Sequence, residues 1–257
     1  MGGPDFAAPD WGDLSAYTYL MAGDRSAFAW EWLRRSPEYQ IAAVTPSSSP
    51  AQFGLCRFED PKLSAMEGYP IWRSESDPSV LSTVAHPVCG GEAFDITVLQ
   101  RWTVVQIDAQ GEHWRIGHDL RSIRLDIIEG TLREGPVQLE YRIGGLADAI
   151  PAVLTLRRFI ALACTRRWPA KLFPREVRAT RWIATLRAHD AVMAGASQRE
   201  IAARLFGDAV IGPRWRTTAP SYRLRVQRLV AGARAMANGG WRTFLDSPSR
   251  KSSPEID

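Results

Sequence analysis

No apolar run in this sequence approaches the ~18 residues that a membrane-spanning helix needs. The best candidate, Ile150 to Cys164, is broken by Arg157 and Arg158. The first ten residues carry Asp5 and Asp10 and no apolar segment, so no signal peptide is expected. Cysteine is scarce: Cys56, Cys89 and Cys164 are odd in number and widely spaced, with no C-x-x-C among them. That argues against a disulfide framework and a zinc site, and for a reducing compartment. Catalytic signatures are missing too, with no G-x-G-x-x-G, phosphate-binding loop or G-x-S-x-G. His113 and His118, with Asp108 and Asp119 nearby, suggest a metal site at first sight. Their odd spacing on a strand puts the two rings on opposite faces, so neither metal nor cofactor is expected. His189-Asp190 lies on an expected helix, where adjacent residues diverge, and reads as exposed polarity. The expectation is a soluble cytoplasmic protein that is not an enzyme and spans no membrane.

What is present is an uneven charge. The 257 residues carry a net +4. From Arg157 to Arg242, however, eighteen Lys and Arg face only Glu176, Asp190, Glu200 and Asp208. That segment is +14 and the remainder is −10. An acidic body with a basic end is an electrostatic signature of nucleic-acid contact. The basic side chains are almost all arginine, whose flat fork pairs with phosphates and guanine edges.

Hydrophobic periodicity divides the chain. Asp24 reads as the N-cap of a helix from Arg25 to about Arg35 that Pro37 ends. Phe28, Trp32 and Leu33, beside Tyr17, Tyr19 and Leu20, supply its core or subunit contact, and residues 45–50 read as a linker. From about Phe53 to Ile143 the period is two. Phe94–Val98, Trp114–Ile116, Ile123–Ile127 and Val137–Ile143 alternate as strands with one buried face, and Asp108–Glu112 reads as a hairpin turn. After Pro151 the period is 3.6, with helices expected at about 151–165, 175–194, 198–206 and 220–238. The fold class is therefore α+β: an N-terminal helix and a small antiparallel sheet, followed by an all-α helix-turn-helix domain. Residues 1–150 are assigned to oligomerisation or regulation, 151–245 to DNA binding, and 246–257 to a disordered tail.

The segment Ala194 to Gly207 carries the function. Ser197 and Glu200 have the spacing of a capping box, Ile201, Ala202, Leu205 and Phe206 form an apolar face, and Gly207 closes the helix. This is the first half of a helix-turn-helix, and Gln198 and Arg199 in its first turn join the candidate DNA contacts. At 100° per residue, Tyr222, Val226, Leu229, Val230, Ala233 and Met236 fall on one side of the last helix. Arg223, Gln227, Arg228 and Arg234 lie opposite, with Arg225 at the boundary. Arg bidentate to guanine and Gln to adenine are the pairings that recognition helices use. Ser221 and the helix N-terminal amides suit a phosphate. The twelve residues between Gly207 and Pro220 exceed the turn of a compact motif, about 3–4 residues. Within them Arg214 and Arg216 flank Trp215, either as a wing or backbone clamp or around a Trp that plugs the core. Arg175, Arg178 and Arg181 line one side of an upstream helix whose other side holds Ala179, Trp182, Leu186 and Met193; they are candidate phosphate contacts.

The stretch Leu154–Leu245 resembles the RovC-type DNA-binding domain. The residues that carry this are Leu172-Phe173-Pro174, Arg181-Trp182, the Gly195–Gly207 motif and Gly239-Gly240-Trp241-Arg242. Ala29–Tyr39 is similar to the transcriptional-regulator-like domain that often precedes it. The resemblance implies promoter DNA as partner, self-association, and activation of type VI secretion or mobile-element genes; it assigns no base-contacting residue. The acidic half is expected to join subunits or touch RNA polymerase. Two rivals remain: an antiactivator that shares the fold without binding DNA, and an RNA binder. The basic segment opposes the first, and the lack of an aromatic stacking motif on the sheet disfavours the second.

Overall fold

The computed structural model describes residues 8–208 and 220–246. They form two compact units. One combines the described residues up to Ile41 with Arg175–Phe244; Ala42–Pro174 make the body of the other.

The first unit is helical. Helix α1 (Arg25–Leu33) starts where the Asp24 carboxylate accepts from the Ala27 N–H, as the sequence implies. Pro37 ends that helix and opens α2 (Pro37–Ala43), where a missing N–H costs nothing. Three aromatic rings join the two ends of the chain. Phe28 meets Trp182 edge-on at 5.0 Å, and Trp182 meets Phe244 at 4.6 Å. Arg25 donates from Nε to the Phe244 carbonyl at 2.9 Å and from its fork to that of Thr243.

The second unit is built on a mixed five-stranded sheet in the order β2-β3-β4-β1-β5. Its strands are β1 (Leu81–Pro87), β2 (Thr103–Asp108), β3 (Gly111–His118), β4 (Arg121–Glu129) and β5 (Val137–Arg142). The antiparallel sheet expected from sequence is corrected at β1, which runs parallel to β4 and antiparallel to β5. β1 is buried nearly throughout, so it lacks the alternation that reveals a half-exposed strand. Phe94–Val98 is not a strand. The Asp95 side chain accepts from Thr97 N and Oγ and starts a 3-10 helix, Ile96–Trp102, offering the backbone a local alternative to the ladder. Phe94 keeps one bridge, to Val137.

Helix α3 (Leu146–Thr165) covers one face of the sheet. Ala152, Phe159 and Leu162 pack on Trp114, Ile116, Ile123, Leu125 and Ile127. Residue 150, where the sequence sets its domain boundary, falls inside this helix.

On β3, His113 is 4% exposed and His118 exposed, as the odd spacing requires. His113 Nε2 is 3.1 Å from Asp108 Oδ1, and Nδ1 is 2.9 Å from Asp126 Oδ1. Burial alone would lower the imidazolium pKa; contacts with Asp126, Cys56 and Asp108 outweigh it and raise the pKa to about 10. A raised folded-state pKa contributes stability that is complete below the unfolded value of ~6.5 and disappears as pH rises through the folded one. The sheet unit is therefore expected to lose stability to urea between about pH 7 and 10, and His113→Gln to flatten that slope. A flat profile in the unsubstituted protein contradicts the protonated His113.

Candidate nucleic-acid interface

Three helices carry the candidate contacts: α4 (Ala179–Met193), α5 (Gln198–Phe206) and α6 (Pro220–Ala237). They share a core of Ala191, Ile201, Ala202, Val226 and Val230, with Leu205, Phe206 and Tyr222 packed against it. Four residues join α4 to α5, and Gly195 turns the chain there at φ +79°, in the left-handed region where a Cβ is strained. The capping box is formed. Ser197 Oγ accepts from Glu200 N at 3.3 Å, and Glu200 Oε2 from Ser197 N at 2.7 Å. Those bonds hold the Glu200 carboxyl below its ordinary pKa.

Helix α6 has the two faces expected. Val226, Val230 and Ala233 are buried; Tyr222, Leu229 and Met236 are half-buried. Ser221, Arg223, Gln227, Arg228 and Arg234 are exposed, as is Leu224. Its eighteen residues include four arginines and no acid. Arg225, placed at the boundary, is exposed yet stacks its guanidinium over Phe206 at 4.4 Å. That contact holds the start of α6 against the end of α5.

The other candidates divide. Gln198 and Arg199 are exposed on the first turn of α5. Arg175 and Arg178 are exposed but not within a helix: α4 starts at Ala179, so Arg178 is its N-cap and Arg175 precedes it. Only Arg181 of the three stands on the helix, and Met193, expected on its apolar side, is 68% exposed. Arg214 and Arg216 lie outside the described residues.

Not every basic residue of the C-terminal segment is available to DNA. Arg187 is buried and donates to the carbonyls of Trp11 and Gly12 at 2.9 and 3.2 Å; burial lowers its pKa. The reading of His189-Asp190 as exposed polarity is overturned. Asp190 is 3% exposed, and Arg35 grips it bidentately, Nε to Oδ1 at 2.8 Å and Nη2 to Oδ2 at 2.9 Å. Tyr17 donates its hydroxyl to Oδ2 at 2.7 Å, and Arg35 also binds Glu31. Burial and the Asp190 charge raise the Tyr17 pKa, keeping the phenol protonated and donating. His189 packs edge-on against Trp32. Adjacent helix residues do diverge, but here both directions lead into the protein because the N-terminal segment that carries Tyr17, Trp32 and Arg35 covers that side of α4.

Residues 143–246 match a family model described as the T6SS transcription factor DNA-binding domain, RovC type. Residues 10–52 match a model described as a proteobacterial transcriptional regulator-like domain. The first is a transcription-factor family, not an enzyme family. No curated protein matches the chain.

Proposed function

Because the chain carries a RovC-like DNA-binding domain over 143–246 and a transcriptional regulator-like domain over 10–52, we propose that it is a sequence-specific transcription regulator that inserts α6 into the major groove of promoter DNA. The observation that carries this is the exposed, acid-free face of α6, with Arg223, Gln227 and Arg228 on its first half. In this reading α5 and α6 act as a helix-turn-helix whose connection has more residues than the turn of a compact motif. Arg bidentate to guanine and Gln to adenine read bases, while the exposed Leu224 suits a thymine methyl. Ser221, Arg234, Arg175, Arg178, Gln198 and Arg199 position the backbone through phosphates, with Arg214 and Arg216 assigned to the same task. A homo-oligomer reads paired half-sites about one helical turn apart, and activation of secretion or mobile-element genes proceeds through contact with RNA polymerase.

Alanine substitutions separate these roles. Arg223→Ala and Arg228→Ala are each expected to cost ~1–3 kcal/mol at the cognate site and to relax its sequence preference. Arg175→Ala and Arg178→Ala are expected to weaken binding equally on all sequences and to reduce its salt dependence. Equal loss on every sequence from the α6 substitutions would remove base reading from that helix. If Gln198→Ala and Arg199→Ala instead changed preference, α5 would be the reading helix, in keeping with its four-residue turn from α4.

A further inference from the structure

Helix α3 has a second apolar face, turned away from the sheet and exposed. Ala152, Thr155, Phe159 and Leu162 face the sheet side and are buried. On the opposite side Leu146, Ile150, Val153, Arg157, Ile160 and Cys164 recur at alternating spacings of four and three, the seam of a coiled coil. All six are exposed, Leu146 at 94% and Ile150 at 67%. Single exposed apolar side chains are ordinary, but a continuous seam ~27 Å long at 1.5 Å per residue marks an interaction surface.

We infer that this seam joins two copies of the chain in an antiparallel pair centred on Thr155. It rests on the self-association proposed above and supplies its surface. The two-fold fits the side chains by size. Leu146 of one copy lies opposite Cys164 of the partner subunit, Ile150 opposite Ile160, and Val153 opposite Arg157, whose long stem covers apolar surface while its charge reaches water. A parallel pair would instead set Arg157 against its own copy. Beside Cys164 an open groove of about 760 Å³ is lined by Ala161, Thr165, Trp168, Pro169 and Leu172, with Arg167 and Lys171 on its rim. The antiparallel pair brings the other copy's Leu146, the most exposed of these side chains, to that groove. It also sets Asp148, the one acid of α3, at the end that meets the basic rim. Two such seams remove on the order of 1,000 Å² from water, the lower limit for a specific interface, so the pair forms in a concentration-dependent way.

The test combines sedimentation equilibrium with cross-linking. Ile150→Glu with Ile160→Glu, both at exposed positions, is expected to weaken self-association at least ~30-fold while leaving the circular dichroism spectrum unchanged. In a Cys89→Ser background, diamide takes up two electrons and two protons from two thiols as a disulfide forms. With Leu146→Cys added, native Cys164 is expected to give a covalent dimer; without it, none. One helix cannot bridge the two positions itself, since a disulfide needs Cα atoms within ~7 Å. Cross-linking through Cys164 alone overturns the antiparallel arrangement. Self-association that survives the double Glu substitution overturns this surface and leaves the oligomeric reading standing. A chain that stays monomeric at every concentration overturns both.

Discussion

Asp190→Ala is expected to cost the helical unit ~3–5 kcal/mol, and Arg35→Ala a similar amount, measured by urea unfolding. The pair is fully enclosed, with the Arg35 and Asp190 side chains each 2% exposed. Removing the carboxylate takes from the buried guanidinium its bidentate anionic partner, and from the Tyr17 hydroxyl its acceptor at 2.7 Å. Removing the guanidinium takes from two buried carboxylates, Glu31 and Asp190, the cation they share, with Arg34 still bonded to the first and the Tyr17 hydroxyl to the second. The penalty arises from the uncompensated charge and not from the attraction lost, so a conservative amide, Asp190→Asn, is expected to cost less than alanine. Losses below ~1 kcal/mol for both alanine variants would place the pair in contact with water and contradict its enclosure.

The same contacts predict that the DNA-binding segment does not act alone. A fragment of residues 143–246, the span of the family match, is expected to show no cooperative unfolding of α4–α6 and no detectable DNA binding. Deleting residues 1–41 from the full chain is expected to do the same. Either change removes Arg35 from Asp190, the Trp11 and Gly12 carbonyls from Arg187, and Phe28 from the Trp182–Phe244 pair. The polar groups left behind are too costly for three short helices to carry, and the core they retain is small. A 143–246 fragment that bound promoter DNA within a few-fold of the full chain would show the N-terminal segment to be dispensable.

What the sequence made legible follows from the range of each signal. The Asp24 cap, the Ser197/Glu200 box and the two faces of α6 are set within a few residues, and each stands where local chemistry put it. β5 alternates because one face is wet, whereas β3 and β4 alternate in residue type although both faces are buried, their second face holding polar side chains such as His113, Arg115, Arg124 and Asp126. β1, Leu81–Pro87, was illegible because its enclosed residues do not alternate in polarity, and Phe94–Val98 misled because a capped 3-10 turn imitates alternation over five residues. Asp190 was misread for another reason: its partner is 155 residues away, and no helical wheel reports what covers a face from a distant part of the chain. Nor did any local pattern announce that the first 41 residues would fold with the C-terminal helices. Of the proposed contacts, exposure and basicity were readable, whereas Arg187 and Arg225 were counted with the basic segment although packing engages both.

The most direct test of the account is a titration of the purified full-length chain on DNA upstream of its gene neighbourhood, against scrambled DNA of equal length, across a salt series. The account predicts a preference for the native sequence that persists at moderate salt, with affinity falling steeply as log salt rises because several arginines displace counterions. Binding to neither DNA, by a protein whose helical unit is folded, would contradict it and leave a regulator that acts through protein contacts alone.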